Sequence, residues 1–445
     1  MTVGERARDV WRHLSTRRPL TYLLAGWLVF MLGAYPGYLS IDGILQLYTV
    51  RSGDYSDYAP IMTALWGALE YVAAGPFPML VLQSGLFLFG LYGILAKLVS
   101  PRAAAVTAGA VMLFPPVFAP MAVIWPESLM AGALLATLGA AVQGKRGWSI
   151  AAVGFAIIAC GCRFECVFAL TPIAFRAIDP GPRWKRAGVA IGLVAGVFAS
   201  AKLADYALTV VETYTWQQEL MVMDTVGTLR RAKVRDSGTL ETALAGLPIA
   251  DRTKLVERMK SSVDALDWYP VANGPKRVLD RIDSEEESDA LSRAWRGALT
   301  GHTKAYLVHR WTMIRSLFGL YGKWTPVYDE FGDVDLLAPL HHRATASDWQ
   351  YGMQQIVRAF EYTPLFRPVV YFVLALVALW FVRKRPLLRS LAISGLVLQV
   401  TMFFFAPAND YRYSHWLVTT TCIVIAALAV LRQWAAPEAG EENAS

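Results

Sequence analysis

Tyr35-Pro-Gly-Tyr-Leu-Ser-Ile-Asp-Gly-Ile-Leu-Gln46 follows directly on the first apolar run of the chain and continues through Arg51-Ser-Gly-Asp-Tyr-Ser-Asp-Tyr-Ala-Pro60. It sets a carboxylate, Asp42, where a chain leaving a bilayer would emerge. Acidic groups close to hydrocarbon are costly and tend to be kept for function. Whether Asp42 is a working group or the polar end of a loop depends on what the rest of the chain brings to the same side.

The chain has 445 residues, 55% of them apolar and only 17% charged. Soluble domains carry about 25% charged residues. The composition therefore describes a polytopic membrane protein. The net charge of +7 does not imply nucleic-acid binding, because the basic residues lie in short blocks between apolar runs, as the positive-inside rule requires.

A span needs about 20 apolar residues to cross about 30 Å of hydrocarbon. On that measure the sequence predicts an all-α protein of about ten transmembrane helices. Seven fall within 20–210: Leu20–Tyr35, Pro76–Leu98, Ala103–Val123, Ser128–Val142, the short Trp148–Cys162 and Cys166–Ile178, and Ala187–Val210. Three follow within 365–433: Leu365–Val382, Leu388–Pro407 and Trp416–Leu431. Residues 1–19, rich in arginine, read as a cytoplasmic segment before an uncleaved first span, and 434–445 as a disordered cytoplasmic tail. Residues 211–364 read as a mostly helical extracytoplasmic domain. Within it Leu255–Leu266 has helical periodicity, Asp283–Asp289 is a charge run suited to a solvated loop or helix start, and Tyr306, Leu307, Trp311, Ile314 and Leu317 fit one apolar face.

Charge fixes the topology. With the N-terminus inside, Lys97, Arg102, Lys145, Arg146, Arg183, Lys185, Arg186, Arg383, Lys384, Arg385 and Arg389 all fall on the inner side. Asp42, Asp54, Asp57, Glu127, Arg163, Glu165, Asp410 and Arg412 fall on the other. A span at Tyr58–Ala74 would break this agreement. That stretch, in the first outer loop (36–75), is expected to lie in the interface, with Trp66 and Tyr71 at the depth such residues favour.

Four outer motifs carry chemistry. Asp42 and Gln46, at i and i+4, would share a helix face. A partly desolvated carboxylate there can take a proton from a hydroxyl, although a single loop Asp is more often a helix cap or part of a surface loop. Glu127, in Trp125-Pro-Glu-Ser128, is pinned in a tight turn, yet Pro and Glu also suit an ordinary first turn. Arg163 and Glu165 either pair internally or present an arginine to phosphate. In Asp410-Tyr-Arg-Tyr413, Arg412 suits a phosphate and the tyrosines suit a sugar or the interface. Nucleotide-binding loops, a zinc His-Glu-x-x-His helix and a nucleophile elbow are absent from the sequence. The adjacent His341 and His342 would not share a helix face. Cys160, Cys162, Cys166 and Cys422 sit in apolar runs and read as buried small side chains.

In this order the motifs resemble the GT-C superfamily of integral-membrane glycosyltransferases, and within it bacterial members of the protein mannosyltransferase and aminoarabinose-transferase type. The resemblance rests on Tyr35-Pro-Gly-x-x-Ser-x-Asp42 with Gln46, Tyr55-Ser-Asp-Tyr-Ala-Pro60, Trp125-Pro-Glu-Ser-Leu129, Arg163-Phe-Glu165, Gln218–Asp224, Trp295–Arg310 and Asp410-Tyr-Arg-Tyr413. It implies transfer of a sugar from a polyprenyl-phosphate donor to an acceptor hydroxyl on the outer (periplasmic) face of the inner membrane. Asp42 would be the base and Glu127 a second acid. Arg163 and Arg412 would hold the donor phosphate, and Gln46, Asp57, Glu165, Asp224, Arg310, Asp410 and Tyr413 would contact substrate. The acceptor would be a glycan, lipid or protein, and both termini would be cytoplasmic. Membrane lipids are the expected surroundings and nucleic acid is not an expected partner. No cofactor or metal ligand is assigned, and a divalent metal stays open. The chain departs from the family where a Trp-His-Pro-like sequence is expected, having Tyr58-Ala-Pro60. A lipid-linked-sugar flippase and a non-enzymatic scaffold are the competing readings. Transporters tend to place ionisable groups mid-membrane and to show repeat symmetry, neither of which the sequence displays.

Overall fold

The computed structural model describes residues 18–55, 58–177, 182–210, 215–234, 236–249, 279–280, 282, 284–320 and 347–434. Asp57, the Leu255–Leu266 segment, Asp283, His341, His342 and both chain ends lie outside the described residues. The described chain is all-α, with isolated bridges at Tyr38–Val123 and Ile249–Leu279.

The helices are α1 Pro19–Ala34, α2 Ile41–Ser52, α3 Pro60–Glu70, α4 Phe77–Leu95, α5 Pro101–Leu113, α6 Pro115–Met121, α7 Pro126–Ala141, α8 Arg146–Cys162, α9 Cys166–Ala177 and α10 Arg183–Leu208. The remainder are α11 Thr215–Arg231, α12 Ser237–Ala243, α13 Glu285–Gly301, α14 Thr303–Leu317, α15 Asp348–Glu361, α16 Pro368–Phe381, α17 Pro386–Phe405 and α18 His415–Trp434.

At the centre is α7, buried from Pro126 to Ala140. Beyond Glu127 in its first turn it is apolar all round, as a fully enclosed helix must be. Its two hydroxyls are satisfied locally, Ser128 Oγ by Pro120 O at 2.6 Å and Thr137 Oγ1 by Ala133 O at 2.8 Å. Helix α4 reaches it through glycine. A Cβ at Gly90 would lie 2.1 Å from the Leu135 carbonyl carbon, and one at Gly139 would lie 2.7 Å from Gly90 Cα. Apolar burial does not drive association between helices in lipid, so close backbone packing through small residues supplies the contact instead. Helices α8 and α18 also pack on α7, and α9 and α17 pair beside it.

The polytopic helical membrane architecture is present, but the count of about ten spans is not. Among the described residues four helices are long and apolar enough to cross: Phe77–Leu95, Trp184–Leu208, Pro386–Phe405 and Tyr411–Arg432. A fifth is obtained only if α5 and α6, bent by 72°, are taken as one. The bend has a local cause. Phe114 precedes Pro115, which holds it in extended backbone at φ −65° and ψ 123°. The apolar helices α1, α8, α9 and α16 have 10–17 residues, short of the ~20 that a crossing needs at about 1.5 Å per residue.

Two finer expectations also change. The stretch Tyr58–Ala74 is helical as α3, yet Trp66 is fully buried and donates to Gly75 O at 3.1 Å, leaving Tyr71 as the exposed aromatic. In α14 the buried face is His309, Arg310, Met313, Ile314 and Leu317, while Leu307 and Trp311 are exposed. A buried ion pair, not apolar periodicity, sets that face. Helices α11, α12 and α13 share a small core of their own around Val226, Leu240 and Leu291. The acidic run opens α13 with a capping box between Ser284 and Glu287.

Gly90→Ala should separate α4 from α7 and destabilise the protein by roughly 1–3 kcal/mol. Gly154→Ala on α8, with nothing within 4 Å of the added Cβ, should leave stability unchanged or slightly higher. Thermal unfolding in detergent would compare them, and equal behaviour would contradict the close approach of α4 to α7.

Candidate active site

Two turns of chain far apart in sequence are tied together first. Tyr38 N donates to Ala122 O at 3.0 Å and Ile124 N donates to Tyr38 O at 3.0 Å. Gln83 Nε2 from α4 donates to Met121 O at 2.8 Å and Val123 O at 2.9 Å, holding the second of these strands from behind. Ser40 then serves both sides. Its Oγ accepts from Gly43 N at 3.3 Å, capping α2, and from Trp125 Nε1 at 2.7 Å. The starts of α2 and α7 are thereby neighbours. Asp42 and Glu127 each sit in a helical first turn, where the helix dipole favours negative charge.

Onto these starts the α17–α18 turn delivers Arg412. Its Nη1 pairs with Asp42 Oδ2, and its Nε lies 3.1 Å from Asp410 Oδ2. The guanidinium lies 5.1 Å from the Trp125 ring centre and 5.2 Å from that of Tyr413. From the α8–α9 turn comes Arg163. It lies 2.8 Å from Glu165 Oε1, 3.3 Å from Glu127 Oε1 and 5.3 Å from the same Tyr413 ring centre. Tyr413 is thus shared by both guanidiniums.

The cluster has a closed side and an open side. Glu127 and Glu165 side chains are 3% and 2% exposed, whereas Asp42 and Asp410 are 32% and 30% exposed. Neither Glu127 oxygen accepts a hydrogen bond, and Glu165 Oε2 accepts none. Four carboxylates face two guanidiniums. The N-termini of α2 and α7, each equivalent to roughly half a positive charge, offset part of that surplus. Burial works against the charge on Arg163, but Glu165 and Glu127 outweigh it and hold the guanidinium protonated. Partial desolvation within the cluster pushes the Asp410 carboxyl up despite Arg412, so on acidification it takes a proton above the ordinary aspartate range. Tyr58 lies in the field of Asp42, Arg412, Glu127 and Arg163. Burial, and after it Asp42, raise its phenol.

The structure therefore brings Asp42, Glu127, Arg163, Glu165, Asp410, Arg412 and Tyr413 together. Gln46 is elsewhere, buried against α3 with its Nε2 3.2 Å from Thr63 Oγ1. Asp224 and Arg310 form a second cluster, both fully buried and paired at 2.7 Å. Asp57 lies outside the described residues. Trp125, Ser40 and Tyr58 join the first cluster without having been assigned from sequence. The adjacency of Trp125 to Glu127 and of Ser40 to Asp42 was the only signal available. Among the described residues no group of three or more His, Cys, Asp or Glu side chains is arranged to hold a metal.

No family model and no curated protein matches the chain. Among solved structures, ArnT from Cupriavidus metallidurans bound to undecaprenyl phosphate aligns over 94% of this chain and 78% of its own, at 13% identity and a TM-score of 0.33. A likeness of that size carries no argument about activity, and the chemistry rests on the geometry above.

Arg163→Met would leave Glu127 and Glu165 buried beside no cation and should cost about 3–5 kcal/mol. Glu127→Gln, which keeps the Arg163–Glu165 pair, should cost about 1 kcal/mol. Unfolding of the purified variants in detergent reads the difference, and an Arg163→Met protein as stable as the parent would refute the pairing.

Proposed function

We propose that the chain is a membrane glycosyltransferase of the GT-C type, moving a sugar from a polyprenyl-phosphate donor to an acceptor hydroxyl. The observation that carries this is the meeting of an open carboxylate, Asp42, with Arg412 and Arg163 at one end of an apolar helical bundle. The resemblance of the motifs, read in order, supports the same assignment. Asp42 takes the proton of the acceptor hydroxyl, whose oxygen attacks the anomeric carbon. The bond from that carbon to the phosphate oxygen breaks, and the polyprenyl phosphate departs with its electron pair. Guanidiniums and the helix N-termini stabilise the phosphate. Glu127 and Glu165 hold Arg163 on the closed side.

Arg412 is already paired with Asp42, so a phosphate gains that guanidinium arm only by displacing the carboxylate. In this reading the incoming phosphate takes the Asp42 position on Arg412, and Asp410 keeps the guanidinium in place. Donor binding then releases the base. An outer-face site suits such a donor, because the lipid carries it within the bilayer.

The basic blocks support a reading with both termini on the cytoplasmic side of an inner membrane and residues 211–364 on the outer side. A flippase reading fits less well, since the ionisable groups of the main cluster gather at one end of the bundle.

Asp42→Asn should abolish transfer of radiolabelled sugar from a polyprenyl-phosphate donor, lowering kcat by at least about 100-fold, with expression and unfolding temperature close to the parent. Arg412→Lys should weaken donor use by about tenfold or more. Full activity in Asp42→Asn would remove it as the base.

A further inference from the structure

The helices of the 211–364 region grip the loop ahead of Asp410 and Arg412 at two points, both from α14. Arg310 Nη1 donates to Ala406 O at 2.7 Å, and Ser316 Oγ accepts from Asn409 Nδ2 at 2.8 Å. The two bonds bracket residues 406–409, after which the chain delivers Asp410 and Arg412. Arg310 is itself immobilised. Its Nη2 donates to Asp224 Oδ2 at 2.7 Å, and that oxygen also accepts from Trp295 Nε1 at 3.1 Å. His309 Nε2 lies 3.5 Å from Asp224 Oδ1. The imidazole occupies room that only glycine leaves at position 227, where an added Cβ would lie 2.2 Å from the ring.

A fully buried ion pair is weak evidence of added stability, because well-packed apolar residues of the same volume often do as well. What apolar residues lack is direction. A guanidinium has a rigid planar fork, and here one arm is fixed by a carboxylate while the other meets a single backbone carbonyl. We propose that Arg310, held by Asp224 and Trp295, is a positioning residue that fixes the Ala406–Asn409 loop and through it Arg412. The outer helix α14 then belongs to the working parts of the site. The kinetic consequence rests on the transfer reaction proposed above; the structural consequence does not.

The test uses the full chain in membranes, with a reporter thiol introduced by Ala408→Cys and a control thiol by Tyr71→Cys, at a site 95% exposed. In the paired variant Arg310→Met with Asp224→Asn, which leaves no lone buried charge, maleimide labelling at 408 should quicken by about tenfold. In Asn409→Ala it should quicken by a few-fold, and labelling at 71 should stay constant in both. Arg310→Lys, which keeps the charge but not the fork, should raise the KM for the polyprenyl-phosphate donor by about tenfold and leave the KM for acceptor unchanged. Unchanged labelling at 408 in the paired variant and in Asn409→Ala overturns the proposal. If the paired variant does not fold, Asn409→Ala and Arg310→Lys decide by the same labelling. Faster labelling at 408 together with no sugar transfer by the parent protein would sustain the clamp and refute the transfer reaction.

Discussion

A short backbone pairing organises this molecule. Tyr38, just beyond α1, exchanges hydrogen bonds with Ala122 and Ile124, just before α7. Those residues are separated by all of α2 to α6. Without the pairing, the first turns of α2 and α7 would have no fixed relation, and Asp42 and Glu127 would be two unrelated surface acids. Trp125 extends the tie by donating to the Ser40 cap and placing its ring against Arg412. The backbone tie and the Trp125 side chain beside it thus link the two helix starts to the charged cluster.

The charge balance follows from that arrangement. Carboxylates outnumber guanidiniums, and a buried surplus of charge is expensive. Three features make it tolerable. Two of the acids sit at helix N-termini, two are partly exposed, and both arginines lie against the Tyr413 ring. The same surplus means that an anionic ligand must displace a carboxylate to gain an arginine. Partner exchange at Arg412 is the cheapest route, since Asp42 and Asp410 are the more exposed acids and Glu127 and Glu165 are not free to move outward.

Much of this was legible in the sequence, and the reason is physical. Acids and arginines at the ends of apolar runs are rare enough to stand out, so Asp42, Glu127, Arg163, Glu165, Asp410 and Arg412 could be placed on one side from charge blocks alone. Helix lengths were less legible. Hydropathy counts apolar residues but does not see that Pro115 and Pro116 break a helix, or that α1 and α16 stop short. Aromatic residues were the weakest point. Trp66 read as an interfacial anchor and is core, whereas Trp125 read as part of a turn and stacks on Arg412. An aromatic ring serves interface, core and cation equally, and only its neighbours decide. The buried face of α14 was missed for a related reason, because Arg310 and His309 look like a polar face until Asp224 is seen opposite them.

The proposed reaction breaks a bond from sugar to phosphate at this cluster. The most direct measurement reconstitutes the purified chain in liposomes with a polyprenyl-phosphate sugar labelled separately in lipid and sugar, together with extracted envelope acceptors. Lipid label should accumulate as free polyprenyl phosphate in step with sugar label on an acceptor. Donor that moves between leaflets with both labels still joined, and no free polyprenyl phosphate, would contradict it.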